Sequence, residues 1–119
     1  MKIAIIGSRD YPRPEFAKRK MISIIENLQY NLDVMIISGG ARGIDSIADD
    51  VADITGISIK IFKPDWDKYG KRAGYIRNKL IIDEAEKVLA FWDGKSKGTK
   101  HSIDLAIKAG KPVNIYIRS

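Results

Sequence analysis

The chain has 119 residues, no cysteine and a single histidine, which excludes disulfides, thiolate chemistry and a recognisable structural zinc site. Twenty-one Lys and Arg against fifteen Asp and Glu give a net charge of +6, so an anionic partner is expected, although basic runs such as Lys18-Arg19-Lys20 also suit a plain solvated surface. No apolar run approaches the roughly 20 residues of a membrane span and Met1 leads directly into an apolar segment, so the expectation is one soluble, cytoplasmic domain over residues 1–119 with no membrane partner.

In chain order, the first strand is predicted over Lys2 to Ile6 and is followed by Gly7-Ser8-Arg9. Pro14 suits a first helical position, and Met21, Ile25 and Leu28 fall on one face of the helix that follows. A second strand, Val34 to Ile37, runs into the glycine-rich segment 38–45. Beyond it Ile44, Ile47, Ala48, Val51 and Ile54 share a helical face, and Gly56 stands where a C-cap belongs. The third strand is predicted over Ile57 to Phe62, the next helix carries Ile76 and Leu80 on one face, and the fourth strand is Val88 to Trp92. A helix with Ile103, Ala106 and Ile107 on one face, closed by Gly110, then leads to the last strand, Val113 to Ile117. Strands alternating with helices require crossovers and hence parallel pairing, and uniformly apolar strands imply that both sheet faces are covered. The fold class expected is therefore Rossmann-like, a three-layer α/β/α domain whose five-stranded parallel sheet has the order 3-2-1-4-5.

Ligands of such sheets bind beyond the carboxyl ends of the strands, where the strand order reverses. Three loops meet that condition: Gly7-Ser8-Arg9, then Ser38-Gly39-Gly40-Ala41-Arg42-Gly43 with Asp45, and Asp93 to Lys100, which includes Gly94, Lys95, Ser96, Gly98, Thr99 and Lys100. Each combines glycine with a small hydroxyl residue and a cation. Two of them lead into helices, whose unpaired N–H groups and dipoles favour an anion such as a phosphate. One loop alone would read as an ordinary tight turn; three converging on one crevice point to a ligand. The sequence excludes two familiar phosphate loops. "GSRDYP" lacks the glycines of a dinucleotide G-x-G-x-x-G, and "GKS" at 94–96 has Leu89 where a P-loop requires glycine.

The segment "PDWDKYGKRAGYIRNKLI" places Trp66, Tyr69 and Tyr75 near Arg77 and Asn78. Trp66 and Trp92 are base-stacking candidates, with packing of the loop against the body as the alternative for Trp66. His101 is a weak candidate for acid–base catalysis. Asp45, Asp49 and Asp53 recur at helical spacing and read as a hydrophilic face, with Asp45 near the positive end of the dipole, so no metal and no cofactor is expected.

Taken together, "GSR", "SGGARGID", "DWDKYGKRAGYIRN" and "LAFWDGKSKGTKHSI" resemble, in the same order and over nearly the whole chain, the YspA-type branch of the SLOG superfamily. That resemblance implies a small Rossmann-like domain binding a nucleotide or nucleotide-derived ligand, as a sensor or binding module. Tyr75 stands where that branch usually has proline. Two related groups imply sharper functions. The LOG phosphoribohydrolases, nucleotide N-glycosidases, match at Arg77 and at Gly98-Thr99, but their catalytic glutamate falls on Ser102, which has no carboxylate to act on a ribose. DprA proteins bind single-stranded DNA, and "SGGARGID" and "RNKLI" are similar to two of their motifs. A homodimer is a further expectation from the exposed helices.

Overall fold

A computed structural model describes residues 1–119. Five strands, β1 (Lys2–Gly7), β2 (Met35–Ser38), β3 (Ser58–Ile61), β4 (Lys87–Trp92) and β5 (Val113–Ile117), form one sheet in the order β3-β2-β1-β4-β5, every pair parallel. The crossovers are α1 (Pro14–Gln29), α2 (Ile44–Thr55), α4 (Ala73–Glu84) and α5 (Lys97–Lys108); a short helix α3 (Trp66–Tyr69) and a 3₁₀ turn (Gly70–Arg72) precede α4. This is the fold and strand order expected from the alternation, with strand limits shifted by one residue at most ends. No helix is long and apolar enough to cross a membrane.

Alternation along each central strand divides the core into two clusters. Ile3, Ile5, Ile36, Leu89 and Phe91 face α1 and α2, where they meet Ala17, Met21, Ile25, Ile44, Ala48 and Val51. Ala4, Ile6, Ile37, Val88 and Ala90 face the other way, against Ile81 and Ile82 of α4 and Ile103 and Ala106 of α5. Burial on both faces explains why the central strands carry no polar alternation.

Four of the residues grouped as apolar helical faces, Ile54, Ile76, Leu80 and Ile107, do not enter the core. Ile54, Leu80 and Ile107 are 56%, 49% and 61% exposed. The case of α4 is instructive. Its inward face consists of Ala73, Ile81 and Ile82 with half-buried Arg77 and Asn78 between them. Because polar residues interrupt the buried stripe and Tyr75, Ile76 and Leu80 lie on the opposite side, apolar periodicity selects the wrong face. The inward position of Arg77 and Asn78 is what gives the helix its polar work.

Candidate functional site

The strand order reverses at β1, which pairs with β2 on one side and β4 on the other. The carboxyl ends of β1 and β4 are tied by Ser8. Its backbone N–H donates to the Phe91 carbonyl at 3.0 Å, and its buried hydroxyl accepts from the Asp93 N–H at 3.1 Å. Asp93 then shapes the next turn by accepting from the Lys95 and Ser96 N–H groups at 2.9 and 2.8 Å. Those two bonds hold its carboxyl below the usual carboxylate range. Ser96 caps α5, its hydroxyl accepting from the Thr99 N–H at 3.4 Å, while its carbonyl accepts from the Trp92 indole at 3.0 Å.

At the end of β2 the chain is held by two half-buried groups of opposite charge, Asp45 and Arg77. Asp45, in the first turn of α2, accepts from the Ala41 N–H at 3.0 Å. Arg77 reaches across from α4 and donates to the Gly39 carbonyl at 2.8 Å and to the Asn78 side-chain oxygen at 3.1 Å. Burial raises the Asp45 carboxyl above its ordinary value, and it lowers the Arg77 guanidinium from its ordinary value; the attraction between the two offsets part of each effect. The glycines make room for these groups. A Cβ on Gly39 would lie 2.5 Å from Arg77 Nη1 and 3.1 Å from the Asp45 carboxylate. At Gly43, where φ is 79°, a Cβ would strike the backbone of Arg9.

Above these turns opens a cavity of about 500 Å³. Of the residues singled out in the sequence, Gly7, Arg9, Gly39, Ala41, Asp45, Arg77 and Asn78 line it from one side. Lys95, Ser96, Gly98 and Thr99 line it from the other. Ser8 and Ser38 are buried beneath it, and Gly40, Arg42, Gly43, Gly94 and Lys100 do not line it. Neither tryptophan does: Trp66 is 55% exposed, and Trp92 packs beside the α4–α5 core. His101 lies behind Asn78, with Nδ1 3.5 Å from the Asn78 amide nitrogen and its ring edge-on to Tyr75. Ser102, the position at which the LOG resemblance called for glutamate, lines the cavity and is 3% exposed.

Asp93, which the sequence marks only as the start of its loop, also faces the cavity, as do Asp10, Ile6 and Ile81, which no sequence motif singles out. An Asp-Gly pair directly after an apolar strand was the available signal for Asp93, since aspartate there fastens the following turn through its side chain. The lining thus balances three cations, Arg9, Arg77 and Lys95, against three carboxylates, Asp10, Asp45 and Asp93, and contains no aromatic ring. No group of His, Cys, Asp and Glu side chains is arranged to hold a metal ion.

Residues 1–69 match the family described as the YspA, cpYpsA-related SLOG family. Gene 61 protein of Mycobacterium phage D29 is 33% identical over 118 residues, covering 94% of this chain and 93% of that one. DNA processing protein A (DprA) from Streptococcus pneumoniae has a similar fold, with a TM-score of 0.77 at 21% identity, over 99% of this chain and 50% of that chain. DprA from Helicobacter pylori, in a structure concerned with its single-stranded DNA binding, gives a TM-score of 0.74 at 28% identity over 97% of this chain and 64% of that one. The chain therefore spans between half and two thirds of the DprA chains it resembles, and nearly all of the phage protein. With the Rossmann-like sheet and the extent of these matches, the chain belongs to the YspA, cpYpsA-related SLOG family.

Proposed function

We propose that this protein is a binding module for a nucleotide or nucleotide-derived ligand, held in the cavity at the carboxyl ends of β1, β2 and β4. The observation that carries this reading is the mixed lining of three cations and three carboxylates. Cations alone would suit any polyanion, whereas carboxylates beside them suit a ligand that carries hydroxyl donors as well as phosphate. Arg9 and Lys95 supply charge for the phosphate, beside the amino-terminal turn of α5 at Gly98 and Thr99. Asp10 accepts from sugar hydroxyls. The Asp45 carboxylate already occupies the Ala41 N–H, so the phosphate belongs to the α5 side of the cavity and not to the α2 loop. Serine at position 102 removes the carboxylate on which LOG-type cleavage depends, so binding is the reading favoured over hydrolysis.

Hydrogen bonds to charged groups contribute roughly 1.5–3 kcal/mol each, and micromolar affinity corresponds to about 8 kcal/mol, so a few of these contacts suffice. Calorimetric titration with AMP, ADP-ribose and NAD should find at least one micromolar ligand. Lys95→Ala and Arg9→Ala should each weaken it about tenfold or more. Absence of heat with all three at millimolar concentration overturns the reading, and release of free base on incubation would convert it to N-glycosidase activity. Single-stranded DNA is the second reading, favoured by the likeness to Helicobacter pylori DprA. Oligonucleotide binding with no response to mononucleotides would establish it.

A further inference from the structure

Arg77 and Asn78 of α4 both line the cavity, and Arg77 donates from Nε to the Asn78 side-chain oxygen at 3.1 Å. On its other side the Asn78 amide nitrogen lies 3.5 Å from His101 Nδ1. His101 does not line the cavity. It stands half-buried on a shallow groove along the outer side of α4 and α5, its ring edge-on to Tyr75 with centroids 4.5 Å apart. The imidazole can therefore take a proton from outside, while its inner nitrogen meets the residue that orients a cavity cation.

Donor and acceptor roles along this chain follow from one fixed point. A guanidinium only donates, so the oxygen of the Asn78 amide must face Arg77 and the NH2 must face His101. His101 Nδ1 then holds a lone pair, and the ring proton sits on Nε2. Resting on the nucleotide reading of this cavity, we propose that His101 regulates it: a proton on Nδ1 turns the Asn78 amide over, releases Arg77 Nε and strengthens the hold on an anionic ligand. A protonated imidazole donates from both nitrogens, and an N–H facing an NH2 finds no acceptor. Half a turn of the amide restores a bond to His101 but aims the NH2 at Arg77. Its Nε is then free for a ligand, while Nη1 stays on the Gly39 carbonyl at 2.8 Å. The proton also adds positive charge behind a wall that otherwise balances three cations with three carboxylates.

The groups around His101 leave it as the one that acts near neutral pH. Arg72 of the 3₁₀ turn and Tyr75, Lys79 and Asp83 of α4 share its groove, and Lys79 is engaged with Asp83 at 2.8 Å. On α5 itself Lys97 and Asp104 stand one turn to either side, and Asp104 is engaged with Lys100 at 2.9 Å. Lysine, arginine and tyrosine side chains ordinarily titrate well above neutrality and aspartate well below it, whereas imidazole changes charge between about pH 5 and 8. His101 is also the single histidine of the chain, so every imidazole signal belongs to it.

NMR titration of the ligand-free protein between about pH 5 and 8 should show the Asn78 side-chain amide and the Arg77 Nε–H, identified by its loss in Arg77→Lys, shifting with the midpoint of the imidazole. Calorimetry with AMP, ADP-ribose and NAD over the same range should show, for at least one of them, affinity rising by about tenfold on acidification, the effect of one further hydrogen bond to a charged group. His101→Gln should bind as wild type does at about pH 8 and lack that rise, and the comparison cancels the titration of the AMP phosphate, whose second pKa is about 6. Asn78 and Arg77 signals that do not follow the histidine overturn the proposal whether or not a nucleotide binds. An affinity that stays level or falls on acidification, or a rise that persists in His101→Gln, overturns it as well. Coupled signals with no heat from any of the three compounds at any pH would overturn the nucleotide reading and the effect on affinity with it, while the link from His101 to Arg77 would stand.

Discussion

At Gly43 the backbone has φ 79° and ψ −126°, a combination open to glycine and strained for any residue with a Cβ. The same residue lies so close to the first loop that a Cβ would meet the Arg9 backbone. Read from the letters, the glycines of "SGGARGID" raise the question of a guest approaching the chain. At Gly39 and Gly43 the structure answers with parts of the protein itself, the Arg77 side chain and the Arg9 backbone. These two residues thus belong to the scaffold that sets the positions of Arg9, Arg77 and Asp45. Gly43→Ala should cost about 2 kcal/mol or more, from strain together with displacement of the first loop. Urea unfolding checks this, the expectation being a lower midpoint with an unchanged slope. Sequence could reveal that something must come close at these glycines, but not what, because the neighbours lie about 35 residues away on the chain, at Arg9 and Arg77.

On the scale of elements, the strands and their order were legible because burial on both faces leaves unbroken apolar runs, and because alternation with helices admits few topologies. The outward stripe of α4 was not legible, since apolar residues occupy both of its sides and only the tertiary structure assigns them. The turn between β4 and α5 lies between these cases. Its glycines and lysines stood out, whereas the residue that organises it is Asp93, through bonds to Lys95 and Ser96. Because those bonds lower the folded carboxyl below the usual 3.8, Asp93 contributes stability that is present above that value and is lost as pH falls through the lowered one. Asp93→Ala should therefore cost about 1 kcal/mol at neutral pH, comparable to losing a helix cap. Wild type and variant should converge as the solution is acidified below pH 3.8. Paired denaturation curves across that range measure the gap; a gap that stayed constant would mean that the side chain acts through packing and not through its charge. Asp45 runs in the opposite direction. Its raised carboxyl favours the fold at low pH, and that contribution falls as pH rises from 3.8 through the raised value, so the two aspartates oppose one another in the acid limb.

For the whole molecule, the excess of positive charge and the composition of the cavity separate two binding modes. The chain carries +6 overall, yet the cavity lining balances three cations with three carboxylates, so the excess resides elsewhere on the surface. Helix α1, with Lys18, Arg19 and Lys20, holds part of it. A mononucleotide seated in the cavity meets few of those charges and displaces few counterions. Its affinity should consequently fall only slightly with salt, with a logarithmic slope on the order of −1 for one phosphate group. A single strand running across the surface would instead release about 0.7 counterions per neutralised phosphate, so five contacts already give a slope near −3.5. Titrations of AMP and of a short oligothymidylate at several salt concentrations separate these modes on one protein preparation. A shallow slope for the nucleotide that is lost in Lys95→Ala places binding in the cavity. A steep slope shared by both ligands and insensitive to Lys95 would transfer it to the basic exterior, because screening acts on exposed charges collectively, whereas the loss of one cavity cation removes a specific contact at every ionic strength.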